Sequence, residues 1–358
     1  MEAQDQKVQQ LRQALLAANM DTLWLLPETT ANEPNTKEQA WLWAWNTFYP
    51  LLEQALEAVP VGSKAAFRRS LPLRNPGLTD RLATTQTLIS GIQMLLPGEV
   101  GPVHRHTVRA ARFIISGKGA YTVVDPYQYD MLPGDLVITP SMIYHTHGHT
   151  GSGPVIWFDT LDFPFLAANR VAFHDDHPQE GSLTFIDNSA EASSRFGSAA
   201  MLAPTHLPAE GDTPLVIYPW HTARPALEKL LATTCHDYEG ALLEYINPAT
   251  GTHVLPTMAC YLRGLPAGFS TKARRRTCGS VQLVVEGQGE TIINGKRFAW
   301  QKNDILAIPG WAWVEHRALG NQNVVLYEVN DLPMQKPFGF YREEQYTQNN
   351  GHQKIITP

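Results

Sequence analysis

The sequence predicts an all-β protein, two small barrels in tandem behind a helical N-terminal segment. Two observations predict it. From about residue 84 onward, short apolar runs are broken by Gly, Pro and Asp, and the same motif frame recurs in the two β-rich blocks. The 358 residues, 43% of them hydrophobic, suffice for two packed cores. A net charge of −6, spread along the chain, leaves no extended basic surface for nucleic acid. No apolar run approaches the roughly 20 residues of a membrane span, and the polar, acidic start carries no leader pattern. Cys235, Cys260 and Cys278 are too scattered for a disulfide framework, so a cytoplasmic, reducing compartment is expected.

Residues 1–83 are expected to form the helical N-terminal segment. Val8, Leu11, Leu15 and Leu16 recur at helical spacing, and Trp41 to Ala58 carries a second apolar stripe whose last helix is expected to start at Pro50. Residues 84–165 make the first barrel, with strands expected at Thr87–Leu96, Arg112–Ile115, Tyr121–Val124 and Leu136–Thr139. Residues 166–240, rich in Ala, Ser, Asp and Pro, read as linker and surface excursion with one connecting helix over Arg224–Thr234. The second barrel occupies 241–332, and 333–358 is a C-terminal tail.

The two β blocks align. Gly98, His104 and His106 of the first stand over Gly268, Arg274 and Arg276 of the second. Ser116-Gly-Lys-Gly119 stands over Glu286-Gly-Gln-Gly289, and the run Pro133–Pro140 over Lys302–Pro309. Two copies of one domain would look like this.

His104 and His106 alternate within a β-rich stretch, so both imidazoles project to one face, into the barrel. His145 follows a strand and a Pro-Gly-Asp turn, where a neighbouring antiparallel strand brings it to the same point. A histidine pair two apart says little in a chain with 13 of them. The alternative is surface or core histidines, and the surrounding frame of Gly98, Gly117, Gly134, Pro140 and His145 is what favours a metal site over it. Three neutral imidazoles leave the +2 of a divalent ion uncompensated, which favours an anionic chelating ligand. Imidazole donors suit iron and other first-row metals, and three ligands leave coordination positions open. The second block has Arg274, Arg276 and Val314 at the same places. A guanidinium cannot lose its proton to become a ligand, and valine has no donor. One metal per chain is therefore expected, with Arg274–Arg276 a structural or interface feature rather than an anion site.

This frame resembles the two motifs of the cupin superfamily, and further runs are more specific. Leu96–Thr107, Arg112–Thr122, Val155–Asp162, Asn75-Pro-Gly-Leu78, Tyr218-Pro-Trp220, Glu244–Gly251 and Pro256-Thr-Met258 resemble the gentisate 1,2-dioxygenase family over about residues 40 to 345. The resemblance implies a bicupin, two double-stranded β-helix (jelly-roll) barrels, dependent on Fe(II) and assembled as a homotetramer or dimer. It implies insertion of both atoms of O2 between the carboxyl- and hydroxyl-bearing ring carbons of gentisate, giving maleylpyruvate in aromatic degradation. The family includes salicylate and 1-hydroxy-2-naphthoate dioxygenases, so salicylate, a substituted salicylate or 1-hydroxy-2-naphthoate is the alternative substrate. A non-catalytic ligand-binding bicupin is the reading from another class, and the intact triad argues against it. An isomerase or oxalate-type cupin would keep a carboxylate ligand where Ala110 and Ala111 stand.

Carried over residue by residue, the resemblance implies His104, His106 and His145 as metal ligands, His147 and Asp159 as catalytic, and Arg112, Gln93 and Arg68 as substrate-binding. Plainer roles stand beside these. Arg112 holds a substrate carboxylate or pairs with Asp159 inside the barrel. His147 is an acid or base titrating near neutral pH, or a hydrogen-bonding support. His149, at the end of the alternation, is expected to be solvated. Gln93 bonds a substrate oxygen or a buried backbone group, and Arg68 with Arg69 forms a solvated pair.

Overall fold

In the structure, a computed structural model, residues 2–59, 69–124, 126–178, 186–187, 213–233 and 235–356 are described. Residues 1–37 form one unit, with helix Glu2–Ala17 and two short 3-10 turns, in which Asp21 accepts from Arg12 at 3.0 Å. Residues 38–358 form the other and hold both barrels.

The larger unit begins with β1 (Trp41–Trp43) and helix Trp45–Ala58. Then come β2 (Ser70–Pro72), β3 (Ile89–Leu95), β4 (His104–His106), β5 (Ala110–Ser116) and β6 (Ala120–Val124). They are followed by β7 (Tyr127–Met131), β8 (Leu136–Thr139), β9 (His145–His149) and β10 (Val155–Leu161). Short strands β11 (His174–Asp176), β12 (Ile186–Asp187) and β13 (Ile217–Tyr218) precede helix Trp220–Leu231. The second barrel uses β14 (Ala241–Tyr245), β15 (Ala259–Leu265), β16 (Arg274–Arg276), β17 (Ser280–Glu286) and β18 (Gln288–Ile293). It closes with β19 (Lys296–Gln301), β20 (Ile305–Ile308), β21 (Val314–Leu319), β22 (Val324–Asn330) and β23 (Glu343–Gln345).

Each barrel is two facing sheets. In the first, β13-β8-β5-β10-β3-β2 faces β11-β4-β9-β6-β7-β12; in the second, β1-β20-β17-β22-β15-β14 faces β19-β18-β21-β16-β23. The predicted all-β double barrel is the fold observed.

Strand alternation explains why β5 and β10 are buried on both faces. Ile114 and Trp157 point into the first barrel, among Leu95, Val137 and Val155. Phe113 and Phe158 point the other way, into a core shared with Val325, Tyr327 and Val329 of β22. Phe113 stacks on Tyr327 at 4.6 Å, so the two barrels are joined by side chains of interior character. Each such ring contributes about 1.5–3 kcal/mol of burial.

The join is reciprocal. β1 precedes the first barrel yet pairs with β20 of the second, and β13 precedes the second yet pairs with β8 of the first. Asp304 accepts the Trp45 backbone N–H at 2.7 Å and so caps the helix that follows β1. Asp135 does the same for Trp220 at 2.8 Å. These are the matching aspartates of the two repeated motifs. Thr87 donates to Asp331 and Thr257 to Asp162, each at 2.7 Å, one hydroxyl from each half bonding the other half. The repeat therefore reaches beyond the barrels into the segments that precede them.

Several local expectations change. Trp41–Trp43 is a strand, because its aromatic side chains find an open edge on β20. Pro50 lies inside helix Trp45–Ala58 rather than at its start; burial of Phe48 and Leu52 on one face outweighs the missing backbone donor. The connecting helix starts at Trp220, four residues earlier than expected, where Asp135 caps it. The 166–240 stretch adds three edge strands, β11, β12 and β13, to the first barrel.

Candidate active site

The Pro-Gly-Asp turn before β8 packs against the connecting helix. Gly134 has φ +90°, and a Cβ there would lie 2.4 Å from the Trp220 ring. Only glycine permits both the turn and that contact.

β4 is three residues long, and its alternation sends His104 and His106 inward. Arg105 between them turns outward to Asp175 at 3.0 Å. His145 opens β9 directly opposite His104 in the cross-strand register. The three imidazoles converge, with ring centroids 4.5 to 5.3 Å apart and one nitrogen from each within 4.8 Å of the others.

Their tautomers are fixed by the backbone. His104 Nδ1 is 2.9 Å from Pro102 O, His106 Nδ1 2.7 Å from Val108 O, and His145 Nδ1 2.9 Å from Ile143 O. A carbonyl only accepts, so each Nδ1 carries the proton and each Nε2 keeps its lone pair for the common centre. Burial, with the neighbouring imidazoles, pushes His106 down to about 4 and His145 to about 2. His106 and His145 are therefore neutral at physiological pH, as a metal requires of its ligands. Ala110 stands where a carboxylate would complete the set and brings no charge. The donors fit one divalent first-row cation with open positions.

Arg112 lies beside this cluster on the inner face of β5. Its Nε is 2.8 Å from Asp159 Oδ1, and the other Asp159 oxygen accepts the Trp157 indole N–H at 2.9 Å. Burial raises the Asp159 carboxyl, opposed by Arg112 and the indole. Asp159 thus stands behind Arg112 and aims it. Arg112 Nη1 is 3.4 Å from His147 Nδ1. With Nδ1 facing a donor, the His147 proton sits on Nε2. Burial and the Arg112 charge hold His147 well below the usual histidine range, so the expected titration near neutral pH is corrected. Gln93 is opposite Trp157 on β3 and shares the inner face. His149 is fully buried rather than solvated, its Nε2 donating to Gly153 O at 2.6 Å. Arg69 is buried too, bonded to Glu99 at 2.6 Å instead of joining a solvated pair. Arg68 lies outside the described residues.

A cavity of about 390 Å³ opens beside His106. Its wall is largely apolar, with Ile89, Leu161, Phe163 and Phe173, and also includes His174. The His174 ring stacks on His104 at 5.2 Å. Sequence reasoning missed His174, because it lies in a polar stretch read as linker and no spacing connects it to the triad.

The second barrel fills the equivalent centre with fixed cations. Arg274 pairs across the register with Val314, as His104 does with His145. Arg274 bonds Glu239, while Arg276 and Arg263 each reach Glu328 at 2.9 Å. Gln282 also donates to Glu328 at 2.9 Å. His316 is pushed down to about 3 by burial and bonds Thr291. Guanidinium groups and carboxylates neutralise one another where the first barrel would hold a metal, which supports the structural reading of Arg274–Arg276.

A tandem barrel with a three-histidine centre, an arginine beside it and an apolar cavity defines a metal-binding bicupin. The Cupin domain family matches residues 91–161. Gentisate 1,2 dioxygenase 1 of Aquipseudomonas alcaligenes is 35% identical, covering 90% of this chain and 91% of that protein. The 5-aminosalicylate 1,2-dioxygenase of Comamonas sp is 30% identical over 96% of this chain and 92% of its own. The crystal structure of a salicylate 1,2-dioxygenase from Pseudaminobacter salicylatoxidans superimposes with a TM-score of 0.87 at 29% identity, covering 94% of this chain and 97% of that one. The chain belongs to the gentisate 1,2-dioxygenase family of ring-cleaving dioxygenases. That membership sets aside the non-catalytic bicupin.

Proposed function

We propose that the chain is an Fe(II)-dependent dioxygenase that inserts both atoms of O2 between the carboxyl- and hydroxyl-bearing carbons of gentisate, yielding maleylpyruvate in cytoplasmic aromatic degradation. The observation that carries this is the convergence of three Nε2 lone pairs beside the Arg112 guanidinium and an apolar cavity. His104, His106 and His145 hold the metal. Fe(II), when bound, supplies Lewis acidity toward the substrate oxygens and redox partnership with dioxygen.

The chain's own groups do the rest. Arg112 binds the substrate carboxylate, oriented by Asp159. His147 donates its Nε2–H to a substrate oxygen, Gln93 hydrogen-bonds the same end, and Arg68 assists in carboxylate binding. The apolar wall takes the ring and excludes water. Gentisate is preferred over salicylate, a substituted salicylate or 1-hydroxy-2-naphthoate because its second hydroxyl, para to the first, makes the ring a better electron donor. The 35% identity to a protein named for gentisate favours the same substrate.

Anaerobic loading with Fe(II) followed by an oxygen-electrode trace tests this. Gentisate should consume one O2 per ring cleaved, with a higher kcat/KM than salicylate. Faster turnover of salicylate would overturn the substrate while leaving the chemistry. The chain is further proposed to assemble as a homotetramer or dimer, since Phe338 and Phe340 stack on one another while 67% and 65% exposed. Light scattering should give a multiple of 39.8 kDa.

A further inference from the structure

His174 is a wall of the cavity beside His106 that no metal or carboxylate role uses. β11 pairs with β4 so that His174 stands opposite His106, and directly opposed residues project to the same face of a sheet. Stacking on His104 at 27° holds the ring against the ligand cluster. Its Nε2 is 3.2 Å from Asp176 Oδ1. A carboxylate only accepts, so the proton sits on Nε2 and Nδ1 keeps a lone pair. The Ser90 hydroxyl, on the same wall, is engaged by Thr160 at 2.9 Å. Among the described residues, and apart from the ligand His106, the polar side chains of that wall are Ser70, Ser90 and His174, and of these only His174 also stacks on a member of the histidine cluster.

We propose that His174 is a specificity-determining residue, selecting salicylate-type rings that carry a hydrogen-bond donor, hydroxyl or amino, through acceptance at its imidazole. The proposal rests on the functional reading above, in which such a ring lies beside His106. A hydroxyl or amine donates to an imidazole lone pair. A ring hydrogen, chlorine or nitro group cannot, and forgoes that bond. Ser70 and Ser90 apart, the other side chains of the wall offer van der Waals contact and do not discriminate by donor.

Binding to the zinc-loaded enzyme, which chelates the substrate without turning it over, tests the proposal. Calorimetric Kd values would be taken for gentisate, 5-aminosalicylate, salicylate and 5-chlorosalicylate with the wild type, His174→Phe, His174→Gln and Ser70→Ala. The wild type should favour the two donor-bearing acids over the other two. His174→Phe should shrink that preference about tenfold, the scale of one neutral hydrogen bond. His174→Gln, whose amide oxygen accepts, should keep most of it, and Ser70→Ala should leave it in place. A preference that survives His174→Phe, or that disappears with Ser70→Ala alone, overturns the assignment while the substrate class stands. Failure of the wild type to bind any of the four acids overturns both.

Discussion

Arg112 on β5 and Asp159 on β10 face each other in the cross-strand register, Nε 2.8 Å from Oδ1, with side chains only 7% and 6% exposed. The carboxylate also takes the Trp157 indole proton, and the guanidinium reaches on to His147. Trp157, Asp159, Arg112 and His147 therefore form one polar line across the barrel interior. Removing a link leaves a buried charge without its partner. Asp159→Asn should cost on the order of 3 kcal/mol, the usual penalty for breaking a buried pair from one side. Urea unfolding of the metal-free protein measures it, and unchanged stability would show that Arg112 finds another counter-ion.

Arg112→Lys keeps the charge but loses the planar fork that both holds Asp159 and presents to a carboxylate. The expected fall in kcat/KM is about tenfold to a hundredfold, the few kcal/mol of one charge-assisted contact. It should come with undiminished metal content, because Arg112 makes no contribution to the three Nε2 donors. Loss of metal along with activity would place Arg112 in the support of the ligands instead.

Metal stoichiometry tests the division of labour between the barrels. Reconstituted protein should hold one tightly bound metal per chain, since Arg274, Arg276 and Val314 offer no donor in the second. His145→Ala should lose it, because two imidazoles hold a labile divalent ion poorly. His316→Ala should leave metal content unchanged. Elemental analysis giving two metals per chain would contradict the reading of the second barrel as an ion-pair network.

The convergence of His104, His106 and His145 was legible in the sequence because alternation on a strand fixes a face, and the glycine frame fixes the turns that bring His145 opposite His104. The loss of the second site was legible for the same reason, position by position. His174 was not, since only the pairing of β11 with β4 brings it to the cavity, and no local period records a long-range pairing. β1 and β13 were hidden similarly. Three residues of Trp-Leu-Trp and two of Ile-Tyr become strands because β20 and β8 offer them edges. The burial of His149 and Arg69 went unseen because no sequence period ties them to their partners, Gly153 and Glu99.

The exchanged segments give a stability test away from the chemistry. Asp304 accepts backbone N–H groups from both Trp45 and Gln301, at 2.7 and 3.0 Å. Asp304→Ala should cost about 1–2 kcal/mol, the range for a lost helix cap. The loss should appear in thermal unfolding, with metal content retained in the other barrel. If melting is unchanged, the segment around Trp45 is held by its apolar face alone.

Asp331 links that architecture to pH. Its carboxylate accepts from Thr87 at 2.7 Å and from Gln335 at 3.1 Å, and it is 4% exposed. Burial, with the nearby Glu38 carboxylate, raises its pKa from 3.8 to about 6. The folded state therefore holds this proton more tightly than the unfolded chain does. Between about pH 4 and pH 6 the folded protein binds more protons, so the contribution of Asp331 to stability falls as pH rises through that window and is level above it. The full difference is about 3 kcal/mol. Asp331→Asn removes the titrating group while keeping an oxygen acceptor for Thr87. Urea unfolding at pH 4, 5, 6 and 7 should show the variant gaining on the wild type as pH rises, with the gap constant above pH 6. A gap that is the same at pH 4 and pH 7 would mean that Asp331 titrates alike in the folded and unfolded chain, with its burial fully compensated by Thr87 and Gln335.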